Sequence, residues 1–290
     1  MATQSGTIVD SQVVEPSRII TAQVKKLYDI RVIEQTVLER ITYMSDGLRV
    51  NGYMARPSEP GEYPVLIWNR GGTGDRGALD DMTAFLILAS TAVWGYVVIG
   101  SQYRGNKGSE GKEDWGGKDL DDSLNLLKVA ENTPECDMSR VAVEGASRGG
   151  LVTYRALLKE HRFKCAIVHA GITDVLRLCD TKNEFREYLN QKFDNLCAED
   201  REAELRRLSV IDLAGQLPQI PILIMHGSND RVVPIEQSKL LVEQLEKHGI
   251  PHEFRIIEGG GHVALKDGSY REIDRYRKAW LEKYLKPASS

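Results

Sequence analysis

Five short apolar runs constrain the fold of this 290-residue chain more than any other feature. They read PVLIWN from residue 64, YVVIGSQ from 96, VAVEG from 141, CAIVHAG from 165 and PILIMHG from 221. Continuous runs of this length, rich in Val and Ile, are typical of strands buried on both faces of a parallel sheet. Amphipathic helical patterns lie between them, and this alternation predicts a doubly wound α/β sheet with right-handed crossovers.

Helices and further strands complete this prediction. Asp46 and Gly47 tolerate the positive φ of a tight turn, so the alternating segments around them predict an antiparallel hairpin at one edge of the sheet. HEFRIIEG, which begins at residue 252, adds another strand, for a total of about eight, mostly parallel, with helices on both faces. The expected helices span about 78–93, 118–132, 147–161, 234–249 and 269–286.

The chain divides into an arm and one large domain. Residues 1–35 are polar and then weakly amphipathic, and we interpret them as an N-terminal arm. Residues 36–286 suit a single α/β domain of ordinary size. Within it, residues 172–210 form a charged helical stretch far longer than an ordinary crossover, which predicts a helical cap insertion at the edge of the sheet. A pair of surface helices with no role at the site is the alternative.

Composition limits the classes of partner and the cellular location that we expect for this protein. A net charge of −4 offers no concentrated basic field for nucleic acid or an anionic membrane, so we expect neither as a partner. No apolar run approaches the roughly 20 residues of a membrane span, and the first residues lack the pattern of a secretory signal. We therefore expect a cytoplasmic protein, with homo-oligomerisation left open.

The four cysteines show no C-x-x-C spacing, and no cluster of His, Asp or Glu has the spacing of metal ligands. The prediction is four free thiols and no metal or other cofactor. Cys179 and Cys197 share a helical region, so a pair between them stays open.

Ser147 is the candidate nucleophile. It lies in GASRG, directly after the expected strand RVAVEG and directly before an expected helix. This strand–turn–helix context is typical of a nucleophile elbow, in which Gly145 and Gly149 remove side chains that would clash. The alternative is a glycine turn whose serine merely caps the helix.

A serine hydroxyl needs a base, and the base needs an orienting acid. His262 in EGGGH follows the last strand, and Asp230 in HGSNDR follows the strand before it. The order Ser147, Asp230, His262 is that of α/β-hydrolases. Asp174 is the rival acid. The remaining histidines read as core residues (His169 and His226) or as surface residues (His161, His248 and His252).

An oxyanion hole needs two donors. The first expected donor is the backbone N–H of Arg148, immediately after the nucleophile. The second should come from the glycine-rich loop WNRGGTGDRG after the first buried strand, with Asn69, Arg70 and Gly71 as candidates. This loop lacks the G-K-[ST] ending of a phosphate-binding Walker sequence.

Four segments resemble the catalytic domain of the prolyl oligopeptidase family of serine hydrolases: GASRGG, PILIMHGSNDRVVPIEQSKLLVEQLEKHG, EGGGH and, upstream, SQYRGNKGSEGKEDWGGKDLDD. The resemblance covers residues 36–286. It implies an α/β-hydrolase fold and assigns the family's catalytic triad to Ser147, Asp230 and His262, in agreement with the assignment from the residues themselves.

Two departures from the family pattern shape the expected function. Peptidases of the family carry a β-propeller domain, for which the roughly 35 residues before the matching region leave no room. They also commonly use a tyrosine hydroxyl as an oxyanion donor where this chain has Arg70. Both departures favour a compact enzyme that cleaves carboxylic esters through an acyl-serine. Dienelactone hydrolases, similar in size, resemble the chain less because their nucleophile is cysteine.

Two alternatives to the esterase stay open. One is a prolyl-oligopeptidase-like peptidase or aminopeptidase that acts on short peptides or other short acyl amides. The other is a non-catalytic ligand-binding protein of the same fold, since a fold does not fix a function.

Overall fold

The computed structural model describes residues 4–194 and 196–286. In this part of the chain nine strands form one sheet, in the order β1-β2-β3-β5-β4-β6-β7-β8-β9. Strands β1 to β9 are Ile8–Val13, Thr36–Ser45, Leu48–Pro57, Tyr63–Asn69, Val97–Ser101, Cys136–Ala146, Phe163–His169, Ile222–Gly227 and His252–Ile257.

Helices cover both faces of the sheet. The α-helices in the described ranges, α1 to α12, are Arg18–Leu27, Arg31–Glu34, Asp81–Ala84, Ser90–Ala92, Asp119–Glu131, Arg148–Lys159, Val175–Thr181, Asn183–Lys192, Ala198–Leu208, Glu236–Lys247, Ala264–Asp267 and Tyr270–Leu285. A π-helical turn, Phe85–Ala89, joins α3 to α4, and a 3₁₀ turn, Ile211–Gln216, follows α9. None of the described helices is both long enough and apolar enough to cross a membrane.

The sheet changes from antiparallel to parallel pairing along its width. β1, β2, β3 and β5 pair antiparallel, whereas β5, β4, β6, β7, β8 and β9 pair parallel. Alternate residues of the parallel strands point into two apolar cores, one on each face. Ile67, Ile99, Val143, Val168 and Ile224 enter the first core, and Leu66, Val98, Ala142, Ile167 and Leu223 enter the second. The doubly buried strands predicted from the apolar runs are therefore confirmed.

The antiparallel edge differs from the prediction. Asp46 and Gly47 form the expected hairpin turn with φ of 49° and 83°. The hairpin is not the edge of the sheet, because β1 from the N-terminal arm pairs outside β2 and brings the strand count to nine instead of about eight. All but the first residue of β1 are exposed, so this strand lacks the apolar alternation by which sequence reveals strands.

Three helices, α7, α8 and α9, lie among the described residues of 172–210, the range predicted to be a cap insertion and called the cap below. They contact loops at the carboxyl ends of the parallel strands. Phe185 of α8 stacks edge-on against Trp115 at 5.2 Å, and the Lys182 Nζ donates to the carbonyl of Arg231 at 2.7 Å. The four cysteines are free, Cys179 and Cys197 among them.

Candidate active site

Ser147 occupies a strained turn between β6 and α6. Its φ of 57° and ψ of −123° lie outside the regions that residues other than glycine ordinarily adopt. Its backbone N–H donates to the carbonyl of His169 at 3.0 Å, and its carbonyl accepts from Gly150 at 2.9 Å. Ser147 is the N-cap residue of α6, but its hydroxyl makes no capping hydrogen bond, so the capping role of the alternative interpretation is not what its side chain performs.

Glycines allow this turn to pack against the loop after β4. A Cβ on Gly145 would lie 2.1 Å from the carbonyl oxygen of Gly149. A Cβ on Gly149 would lie 1.9 Å from the carbonyl oxygen of Asn69. Neither position has room for a side chain, which is the physical reason for the G-x-S-x-G spacing in this chain.

The structure brings Ser147, His262 and Asp230 into one hydrogen-bonded row. The Ser147 Oγ lies 3.0 Å from the His262 Nε2, and the His262 Nδ1 lies 2.7 Å from the Asp230 Oδ2. Loops that follow three parallel strands (β6, β8 and β9) supply these residues. The three residues are far apart in sequence but close in space, because the carboxyl ends of parallel strands meet at one edge of the sheet.

Asp230 is held as a buried carboxylate. Its side chain is fully buried, and its Oδ1 accepts the backbone N–H groups of Val232 at 2.8 Å and Val233 at 3.0 Å. Burial alone would raise the pKa of the Asp230 carboxyl. Hydrogen bonds from His226 and His262 and from the Val232 N–H outweigh burial and lower that pKa well below its ordinary value. Asp230 is therefore anionic throughout the neutral range.

His226 is a satisfied core histidine, as the sequence predicts, but it also contacts the acid. The His226 Nδ1 lies 2.7 Å from the Ser238 hydroxyl, and its Nε2 lies 2.9 Å from the Val233 carbonyl and 3.4 Å from the Asp230 Oδ2. Two acceptors around Nε2 place the proton there, so the Ser238 hydroxyl donates to Nδ1. Sequence reasoning missed the contact with Asp230, which only the turn from Gly227 onward creates.

His169 is also buried at its ring nitrogen. Its Nε2 has no hydrogen-bond partner among the described residues, and burial, reinforced by the neighbouring His226 and His262, lowers the pKa of His169 to about 4.

Asp174, the rival candidate for the acid, caps α7 and accepts the backbone N–H of Arg177 at 2.9 Å. The His262 imidazole is paired with Asp230 and not with this rival acid.

The loop after β4 lies directly against the nucleophile. A Cβ on Gly71 would lie 3.0 Å from the Ser147 Cβ and 2.9 Å from the Ala146 carbonyl oxygen. Over the described ranges, the backbone N–H groups of Gly71 and Arg148 donate to no acceptor. Both residues adjoin Ser147, and an oxyanion hole requires two N–H donors near the serine hydroxyl.

Two arginine side chains of this region, those of Arg70 and Arg148, are buried inside the protein. Arg70 is completely buried; its guanidinium donates to the carbonyls of Gln102, Gly71 and Gly74 at 2.7 to 3.1 Å. Arg148 is equally buried, and the two guanidinium groups lie 5.1 and 5.0 Å from the ring centre of Tyr103. Among the described residues, the hydrogen bonds of the buried Arg70 guanidinium thus go to the loop itself and to Gln102.

No group of three or more potential metal ligands occurs within residues 4–194 and 196–286.

Glu113, in the loop before α5, is a site neighbour that sequence reasoning did not single out. It pairs with the Arg148 Nη1 at 2.7 Å. Its sequence neighbourhood, GKEDWGG, lies in a segment that carries the family resemblance, but no spacing of residues there marks this contact.

Comparison with known proteins extends these observations. The protein-family model of the prolyl oligopeptidase family matches residues 83–288, a range that includes all three residues of the hydrogen-bonded row. Uncharacterized peptidase YtmA of Bacillus subtilis (strain 168) is 30% identical over 246 residues, which cover 84% of this chain and 93% of that protein. Uncharacterized peptidase YuxL of the same strain is 29% identical over 265 residues, covering 86% of this chain but 39% of that protein.

Solved structures of other proteins are also similar to this chain. A puromycin-hydrolyzing peptidase of Mycobacterium tuberculosis has a TM-score of 0.69 at 25% identity, over 83% of this chain and 38% of that one. The acylaminoacyl peptidase of Pyrococcus horikoshii has a TM-score of 0.74 at 23% identity, over 92% of this chain and 44% of that one, which shows the common fold. This chain therefore spans less than half the length of either peptidase.

The α/β-hydrolase fold predicted from the sequence is confirmed by these structures. The relatives are peptidases, so the comparisons favour the peptidase alternative over the expected preference for esters, and an esterase is supported only as far as the general class of hydrolases. Because the family model matches most of the chain and a relative of nearly equal length matches at 30% identity, this serine hydrolase belongs to the prolyl oligopeptidase family.

Proposed function

We propose that this protein is a serine peptidase that cleaves short peptides or aminoacyl amides through an acyl-serine intermediate. The observation that carries the proposal is the row from the Ser147 Oγ through His262 to Asp230, at 3.0 and 2.7 Å, with the serine in a strained elbow. Nucleophile, base and orienting acid are then within hydrogen-bonding reach of one another before substrate arrives.

In the first half of the reaction, the Ser147 Oγ attacks the carbonyl carbon while its proton passes to the His262 Nε2. The His262 Nδ1 keeps its proton and donates a hydrogen bond to the Asp230 carboxylate, which fixes the tautomer and stabilises the imidazolium. The carbonyl oxygen becomes an oxyanion, which the N–H groups of Arg148 and Gly71 receive. The His262 Nε2 then returns its proton to the leaving amine, and the C–N bond breaks.

In the second half, water attacks the acyl-serine with His262 again as base. Water donates a proton to the Nε2, and the tetrahedral intermediate collapses to release the carboxylic acid. The proton then returns from Nε2 to the Ser147 Oγ, so the enzyme ends in its starting protonation state.

Two observations support short amide substrates. The family and the relatives are peptidases, and one protein of similar structure is a puromycin-hydrolyzing peptidase. The cap also contacts loops next to the row, since Lys182 donates to the carbonyl of Arg231, the neighbour of Asp230. From this placement we infer that the cap admits a short peptide more readily than a long folded chain.

The test compares unactivated amide and ester substrates, two of which transfer the same alanyl group. We would measure kcat/KM for alanyl-alanine amide, puromycin and a simple alkyl ester of alanine, with Ser147→Ala as the background. We expect amide cleavage with a kcat on the order of 1 s⁻¹ or more, well above that background. Rapid turnover of the ester, with both amides left at the Ser147→Ala background, would establish an esterase and contradict the peptidase proposal.

A further inference from the structure

Glu113 is a buried carboxylate for which the proposed mechanism has no use. It lies in the loop between β5 and α5, and its side chain is only 7% exposed. Its two oxygens lie 3.1 and 3.2 Å from the backbone nitrogen of Gly74, which donates to them, and its Oε1 lies 2.7 Å from the Arg148 Nη1. One side chain thus joins the glycine-rich loop after β4 to the residue that follows the nucleophile.

These two segments carry both proposed oxyanion donors. Gly74 is three residues beyond Gly71, in a loop whose φ is 75° at Gly72 and 54° at Gly74. Such a loop has little intrinsic rigidity, because glycine loses more conformational freedom than any other residue when it is ordered. Hydrogen bonds from Gly74 to Glu113 and from Arg70 to Gly74 hold the far end of this loop in place.

Arg148 depends on the same carboxylate. Its Nη1 contacts Glu113 at 2.7 Å and Asp119 at 3.3 Å, and its Nε and Nη2 have no hydrogen-bond partner among the described residues. Glu113 is therefore the nearer of the two anions that hold this buried guanidinium. Burial alone would raise the pKa of Glu113, but Arg148, the Gly74 N–H and Lys192 outweigh it and lower that pKa, so Glu113 is ionised.

The cap reaches the same group. On α8, the Tyr188 hydroxyl donates to the Glu113 Oε2 at 3.3 Å, and the Lys192 Nζ lies 3.7 Å from that oxygen. Because α8 lies in the insertion and Gly74 in the loop after β4, Glu113 links the cap to the oxyanion side of the site.

We propose that Glu113 is a positioning residue, which sets the distance between the Gly71 and Arg148 N–H donors and is itself held by Lys192 of the cap. This inference rests on the proposed function, since it assigns a role to the oxyanion hole of that mechanism. Glu113 acts through the loop and Arg148 and does not touch the substrate. Its effect should therefore appear where negative charge develops on the carbonyl oxygen, and not in ground-state binding.

The first test is Glu113→Gln, with the exposed Glu62→Gln as the matched control of charge and side-chain shape. Removing one oxyanion donor outright costs about 10²- to 10³-fold in kcat, so a displaced donor should cost about 10- to 100-fold. We expect that fall in kcat with KM within threefold of the parent. The affinity for a dipeptide boronic acid, whose serine adduct places a hydroxyl in the oxyanion hole, should fall by the same factor.

Glu113→Gln retaining parental kcat, or losing kcat without losing affinity for the boronic acid, would overturn the proposal. Should this variant not fold, Lys192→Met decides, since Lys192 is partly exposed and its loss removes one of the two contacts from α8 to Glu113 and leaves the Tyr188 hydrogen bond. We expect a two- to fivefold fall in both kcat and boronic acid affinity, against no change for Lys278→Met on exposed α12 surface. Equal behaviour of the two lysine variants would refute the proposal that Lys192 holds Glu113.

Failure of this inference is separable from failure of the proposed function. If Ser147→Ala abolishes turnover while Glu113→Gln matches the parent, only the role of Glu113 is wrong. If Ser147→Ala turns over substrate at the parental rate, the proposed function itself is wrong.

Discussion

Replacing Asp230 by Asn isolates the electrostatic part of the proposed mechanism. The Asp230 Oδ1 accepts two backbone N–H groups, from Val232 and Val233, and an asparagine oxygen can accept the same two. The asparagine NH₂ then takes the place of Oδ2, 2.7 Å from the His262 Nδ1. Because this NH₂ donates, Nδ1 must accept, and the ring proton moves to Nε2.

The shifted proton disables the base. With a proton on Nε2, His262 faces the Ser147 Oγ with a donor and cannot take the hydroxyl proton. The imidazolium that forms during attack also loses its buried counter-ion. The corresponding change in trypsin-like proteases lowers kcat about 10⁴-fold, so we expect the same order here, about 5 kcal/mol in the activation barrier.

The assay is kcat on the best amide substrate, together with the midpoint of thermal unfolding. The backbone contacts of residue 230 survive in Asp230→Asn, so we expect the midpoint to stay within a few degrees of the parent. Asp174→Asn is the matched control, since Asp174 caps α7 and asparagine caps helices equally well. A loss of less than tenfold in Asp230→Asn, or an equal loss in Asp174→Asn, would refute the reasoning.

Three further changes have defined outcomes. Gly71→Ala should lower kcat at least tenfold with folding retained, because its Cβ would meet Ser147 at 3.0 Å; unchanged kcat would contradict this. Arg277→Met should lower the free energy of unfolding in urea by about 3–5 kcal/mol, because it leaves the buried Glu144 unpaired, and adding Glu144→Gln should recover part of the loss. The pKa of His169, about 4, lies below its ordinary value near 6.5, so on acidification the unfolded chain binds the proton first and the free energy of unfolding falls as pH drops through that window. Between pH 7.5 and 5, the free energy of unfolding of His169→Gln should therefore fall by about 2 kcal/mol less than that of the parent. Equal falls in the two proteins would refute the lowered pKa of His169.

The sequence predicted the parallel half of the sheet well because burial on both faces leaves continuous apolar runs. It also placed Ser147, Asp230 and His262 after three strands that prove to be neighbours or near neighbours in the sheet. Parallel topology turns this chain order into proximity, which is why residues more than 100 positions apart in sequence, such as Ser147 and His262, could be paired.

Other parts of the molecule left no periodic signal. β1 is an exposed edge strand whose place depends on pairing with β2, and its own side chains carry little of that information. Glu113 contacts Arg148 and His226 contacts Asp230, and contacts of this kind between distant segments follow no spacing rule. The Arg70 guanidinium likewise finds its carbonyl partners only in the folded loop.

Covalent labelling of the folded protein tests the central claim most directly. A fluorophosphonate reacts with a serine that an adjacent base activates, so its product records the nucleophile itself. We predict one adduct per chain by intact mass, located by peptide mapping on Ser147, and none in Ser147→Ala or in protein unfolded before labelling. An adduct on any other residue, or no adduct on folded parent protein, would contradict the account.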